Sequence, residues 1–208
     1  MNSNKKSTIT LGALMGLTAI SGSVLAAPVS SAADTGTASI TLTIPTTCSL
    51  AITTPSHTKT ATIGSNNAIG TSTITTTCND GSGHSVYMVG YTGDKINATN
   101  STSLVSGSNV IATGTATSGA TSNWGVKINA VTGAYAPEIS SGWSNTLKAI
   151  PASYTKIATL SGTTDNSTGS GFTAAFSAYV ASTQSAGTYT GKVKFTMVHP
   201  AGANAPTT

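Results

Sequence analysis

FTAAFSAYVASTQSAGTYTGKVKFTMVH, residues 172–199, sorts its side chains onto two faces at a period of two. In its first half Ala174, Phe176, Ala178 and Val180 share one face. In its second half Tyr189, Val193, Phe195 and Met197 face one way, and Thr190, Lys192, Lys194 and Thr196 face the other. Successive strand side chains point to opposite sides, so this alternation marks strands with one face on a core and one in water. Turn formers over 184–187 separate the halves, which are expected to form a hairpin. Pro200 ends it, and residues 201–208 read as a polar tail.

The same period recurs toward the N-terminus. Ile40, Leu42 and Ile44 alternate with threonines, Pro45 interrupts, and Cys48, Leu50 and Ile52 resume the parity. Ile74, Thr76 and Cys78 share a second inward face, so Cys48 and Cys78 are expected to meet across adjacent strands. A bridge closing a loop of about 30 residues stabilises by roughly 3–4 kcal/mol in the chain-entropy model. No other His or Cys stands at metal-ligand spacing from either cysteine. Asn79 to Gly83 is a turn by composition, and with the Val- and Tyr-rich run 85–91 it predicts another hairpin. Residues 92–121 read as loops and weak edge strands, and 124–131 as a strand. Residues 132–147, with Pro137 and Trp143, read as either a short helix or an excursion over one end of the sheets. Short strands with frequent turns predict an all-β antiparallel sandwich with one disulfide and long Ser/Thr/Gly-rich loops.

The chain opens with Lys5 and Lys6 and continues through 8–27 with only small or apolar residues, the pattern of a secretory signal peptide. Cleavage after Ala26 or after Ala33 suits the small-residue rule. The expected organisation is a signal at 1–26, a flexible segment at 27–37, a domain at 38–199 and a tail at 200–208. Cleavage at 26 leaves seven lysines against five acids, a net charge of +2 rather than the +4 of the full chain. There is no arginine, and only 7% of residues are charged. Spaced lysines of this number do not make a nucleic-acid surface, which needs clustered cations on the phosphate backbone. A neutral surface rich in hydroxyls and amides suits exported fibres, coats and adhesive modules. The protein is expected to be secreted, extracellular or on the cell surface, without a membrane span once the signal is removed.

Three stretches, ASITLTIPTTCSL, STITTTCNDGSGHSVYMVGY and FSAYVASTQSAGTYTGKVKFTMV, together with Trp124-Gly125, resemble the spore coat protein U and archaic pilin family. The layout also resembles uncharacterised exported proteins of candidate-phylum bacteria. The resemblance covers most of residues 38–199 and implies an incomplete immunoglobulin-like sandwich. Its missing strand is supplied by the N-terminal extension of the next subunit, which makes Ile40, Leu42 and Ile44 the candidate donor residues. The chain departs from the family by continuing nine residues beyond His199 and by lacking the arginine and Phe-Gly features common after the first cysteine.

Catalysis needs positioned titratable groups, and the chain offers five acids and three histidines. His57, His84 and His199 read as surface or turn residues. No Gly-x-Ser-x-Gly elbow accompanies Asp80 and His84. Asn79, Asp80, Asp94 and Asp165 lack the oxygen density of a calcium site. No enzyme activity, metal or cofactor is expected. Tyr135, Trp143 and Tyr154 form the candidate ligand-contact loop, since aromatic rings stack on sugar faces and loops carry binding residues. Two functions follow: a pilin-like or coat-like subunit joined to itself or to sister subunits by strand addition, or a self-contained adhesive module binding a glycan or host-surface protein.

Overall fold

The computed structural model describes residues 39–92, 95–96, 98–115, 117–133, 136–163 and 169–207, with backbone alone at 130–133. The chain divides into two compact units, Met1–Leu42 and Thr43–Thr208. Of the first, residues 39–42 are described, and the expected signal peptide and the segment 27–37 lie outside the described residues. The second unit holds eleven strands, numbered in chain order, and no helix among the described residues.

One sheet runs, edge to edge, β1 (Cys48–Thr53), β2 (Ser65–Cys78), β10 (Ser170–Val180), β7 (Asn123–Gly133), β6 (Asn109–Thr113) and β5 (Leu104–Ser106). The other runs β11 (Lys192–Val198), β3 (His84–Thr92), β9 (Thr155–Leu160) and β8 (Glu138–Ile139), with β4 (Lys95–Ile96) pairing the end of β3. Among the described residues the strands pair antiparallel except β6 with β7. The β-branched content of β2, with Ile74 and its threonines, suits a pleated surface buried on one side. Ile74, Trp124, Val126, Ile128 and Phe172 from the first sheet join Val86, Met88 and Ile157 from the second in one buried cluster. The all-β, two-sheet architecture with one disulfide, Cys48 to Cys78, agrees with the sequence expectation.

Both predicted hairpins are corrected. β10 lies between β2 and β7, whereas β11 pairs with β3 in the other sheet, so residues 181–191 carry the chain from one sheet to the other. The turn at 79–83 likewise takes the chain from β2 to β3 across the core. Alternation fixes which face of a strand is buried, not its hydrogen-bonded neighbour, and two strands facing one core from opposite sheets carry the same pattern as a hairpin. Gly83 makes the second crossing sharp: its φ is +74°, and a Cβ there would overlap the Leu160 carbonyl.

The strand expected over Ile40, Leu42 and Ile44 is also corrected, because residues 39–47 carry no regular structure. A strand needs a partner for its backbone groups as well as an alternating pattern, and among the described residues no strand pairing involves these residues. Of residues 132–147, read as a short helix or an excursion over one end of the sheets, 132–133 end β7 and 138–139 form β8, and the stretch after them runs beside β7, with bridges from Ser144 to Ile128 and from Lys148 to Val126. The polar tail is tied to β3 at its start. Ser85 Oγ donates to Ala201 O at 2.7 Å and Tyr87 OH to Ala203 O at 3.3 Å, which lays residues 201–203 along the outer face of β3.

Candidate functional site

The entry to β1 is fixed by two devices. Cys48 stands opposite Cys78 in the β1–β2 register, and the disulfide ties the edge strand to β2, with which it pairs. Immediately beyond, Asn79 holds the chain leading into β1. Its Oδ1 accepts from Thr47 N at 2.7 Å, its Nδ2 donates to Pro45 O at 2.9 Å, and its own N donates to Thr47 O at 3.1 Å. Residues 45–47 are therefore held by one side chain, and just upstream three apolar side chains stand in solvent. Ile40, Leu42 and Ile44 are 92%, 82% and 74% exposed. Burying such side chains is worth about 1.5–3 kcal/mol each, so leaving three in water is the least economical feature of the described surface.

The facing edges of the two sheets, β1 and β11, approach within 8 Å at Cα without pairing to one another. β1 pairs only with β2, and β11 only with β3, so each has a free backbone edge among the described residues. The inward side chains of these two strands are only half-buried: Leu50 and Ile52 on β1, and Val193, Phe195 and Met197 on β11. Their cross-strand partners one layer in, Ile74, Met88 and Val86, are fully buried. Phe172, 1% exposed, packs behind this edge with its ring centroid 6.5 Å from that of Phe195.

The loop between β1 and β2 closes over one part of the first sheet's inner face. Ser72 Oγ donates to Thr54 O at 2.8 Å, so His57 Nε2 donates to Ser72 Oγ at 2.9 Å. The ring lies 6.0 Å from Phe176, over Gly70, where a Cβ would strike the imidazole.

His84, read from sequence as a turn or surface residue, is the first residue of β3 and fully buried. Thr76 Oγ1 donates to Ser170 O at 3.1 Å, so His84 Nε2 donates to Thr76 Oγ1 at 2.8 Å and Nδ1 is left without a partner. Burial first, and the neighbouring His199 second, hold its pKa below the usual histidine value. Asp80 pairs not with His84 but with His199, 3.4 Å from its Nδ1. The Ser82 backbone N–H, at 2.8 Å, is the largest influence lowering the Asp80 pKa, with His199 adding to it. A Ser-His-Asp arrangement is thus not assembled from Asp80 and His84.

Of the candidate ligand-contact residues, Tyr135 lies outside the described residues, as do Asp94 and Asp165. Trp143 is 8% exposed and belongs to the core cluster, so it offers no surface for a ligand. Tyr154 is half-buried, its hydroxyl 3.5 Å from Thr196 Oγ1 on β11. Among the described residues no group of three His, Cys, Asp or Glu could hold a metal. Sequence reading missed the Asn79 clamp and the free edge of β11. The first was visible only as an Asn following a cysteine, and the second depends on topology. No family model, curated protein or solved structure matches the chain.

Proposed function

We propose that this chain is a non-enzymatic, exported structural subunit that polymerises by strand addition, residues 40–44 of one copy adding to the free edge of β11 of the next. The observation that carries the proposal is the match between an unpaired apolar triplet and an unpaired apolar edge. Ile40, Leu42 and Ile44 repeat at a period of two, as do Val193, Phe195 and Met197, and each set spans about 13 Å at strand rise. An added strand gains main-chain hydrogen bonds from a free edge and lays alternate side chains against the half-buried Val193 and Phe195 beside it. Burial of the triplet contributes about 5–9 kcal/mol before the cost of association is met. The Asn79 clamp occupies residues 45–47, which a hairpin back onto β1 would need as its turn, and so favours exchange between copies. The resemblance to spore coat and archaic pilin subunits points the same way, and the disulfide suits an oxidising, extracellular location.

The test is a non-reducing gel of purified protein loaded with and without boiling, alongside a variant carrying Ile40→Ser, Leu42→Ser and Ile44→Ser. A ladder that collapses on heating and is absent from the variant is the expected result. A single unshifted band for the unaltered protein, or a ladder that the variant retains, overturns the proposal.

A further inference from the structure

The outer face of the second sheet differs in kind from the outer face of the first. On the first, β2 presents Thr71, Thr73, Thr75 and Thr77, β10 presents Thr173, Ala175 and Ser177, and the nearest cation is Lys127, opposite Ala175. On the second, β11 presents Lys192 and Lys194, both exposed, and β9 presents Lys156, also exposed. Register fixes their spacing. Lys192 is opposite Tyr91, Lys194 opposite Val89, and Lys156 opposite Tyr87, so two lysines stand on one side of β3 and one on the other. Residues two apart on a strand are separated by about 7 Å, and strands two apart in a sheet by about 10 Å. Lys192 and Lys194 are therefore adjacent on β11, and Lys156 stands about 12 Å from Lys194 and about 17 Å from Lys192 across β3, whose outward Val89 and Tyr87 between them are buried.

Tyrosines lie among them. The Lys192 Nζ sits 5.6 Å from the centroid of the half-buried Tyr91 ring, and Tyr154 lies beside Thr196 of the same strand. Glu138, opposite Thr159 at the far edge, is the one acid of this face among the described residues. The tail covers the end of the face at Ser85 and Tyr87 and adds no charged side chain over 201–207.

We propose that this face binds an acidic polysaccharide, a chain of sugar rings bearing carboxylates. Charge complementarity supplies the attraction, and the lysine–tyrosine pairing supplies the chemistry that a sugar acid combines: a ring with an apolar face to lie against Tyr91 or Tyr154, and an anionic group to meet Lys192, Lys194 or Lys156. The chain has no arginine, so the planar fork that favours phosphate is absent, and three lysines are too few for a phosphate-backbone track. The site lies on the outer side of β11 and does not depend on strand addition at its edge.

The probe is immobilised polygalacturonate at low salt, with neutral dextran and polyphosphate as comparison matrices, and the full-length secreted protein as analyte. Retention on polygalacturonate, falling with added salt, is expected. The Lys156→Gln, Lys192→Gln, Lys194→Gln variant should bind at least about tenfold more weakly, the sum of several weak exposed charge contacts. It should keep its thermal midpoint, and a Lys59→Gln, Lys127→Gln variant should bind as the unaltered protein does. No retention of the unaltered protein, equal loss in the two variants, or retention on polyphosphate matching that on polygalacturonate overturns the proposal.

Discussion

Replacing both cysteines, Cys48→Ala with Cys78→Ala, tests how far the edge strand depends on its covalent tie. The bridge joins residues 30 apart in sequence, and the chain-entropy relation for a loop of that size gives about 3.6 kcal/mol at 25 °C. A domain of this size loses about 2–4 °C of midpoint per kcal/mol, so the midpoint should fall by about 7–14 °C. The loss should not be spread evenly. β1 pairs with β2 alone, and its inward Leu50 and Ile52 are half-buried, whereas β10 is flanked by β2 and β7 and carries the buried Phe172. Amides of β1 should therefore exchange faster in the variant well below the unfolding midpoint, while those of β10 change only with global stability. Urea unfolding gives the free energy and hydrogen exchange with mass readout gives the distribution. A loss below about 1 kcal/mol, or equal acceleration in β1 and β10, would refute this assignment of the disulfide to edge-strand retention.

Stability should also fall on acidification in a way that traces to His84. Its folded pKa lies below the unfolded value, so the unfolded state takes up the proton first, and stability is full above about pH 6.5 and is lost as pH drops through that value toward the folded pKa. The slope from one such group cannot exceed about 1.4 kcal/mol per pH unit, and His84→Gln should flatten it in urea titrations at pH 7.5 and 5.5. Gly83→Ala should cost more than about 2 kcal/mol, because the left-handed φ and the overlap with the Leu160 carbonyl act together. Gly64→Ala, at φ +72° with nothing within 4 Å of a Cβ, should cost only about 1–2 kcal/mol, and chemical denaturation of the pair separates strain from collision.

The period-two pattern made the buried faces legible. Ile74, Cys78 and Phe172 are where alternation puts them, and so are the outward Lys192 and Lys194. The pairing of Cys48 with Cys78 was legible for the same reason. Strand partnership was not. β2 to β3 and β10 to β11 each read as a hairpin because a tight turn between two alternating runs looks alike whether the chain folds back within a sheet or crosses to the facing one. β3 hides its burial on both faces, since Ser85 and Tyr87 are covered by a tail more than a hundred residues away in sequence, and no local pattern reports that. Trp143 sits among turn formers outside any alternating run, yet the segment lies along β7 and buries the ring. The three apolar side chains of residues 40–44 alternate as a strand does, and among the described residues they pair with neither sheet.

The most direct measurement is amide exchange along Lys192–Val198 in the unaltered protein at high concentration and in the Ile40→Ser, Leu42→Ser, Ile44→Ser variant. If residues 40–44 add to the free edge of β11 in a neighbouring copy, these amides are slowed at least tenfold in the unaltered protein relative to the variant, while those of β5 and β8 at the other sheet edges match. Equal exchange along β11 in the two proteins would contradict strand addition at this edge.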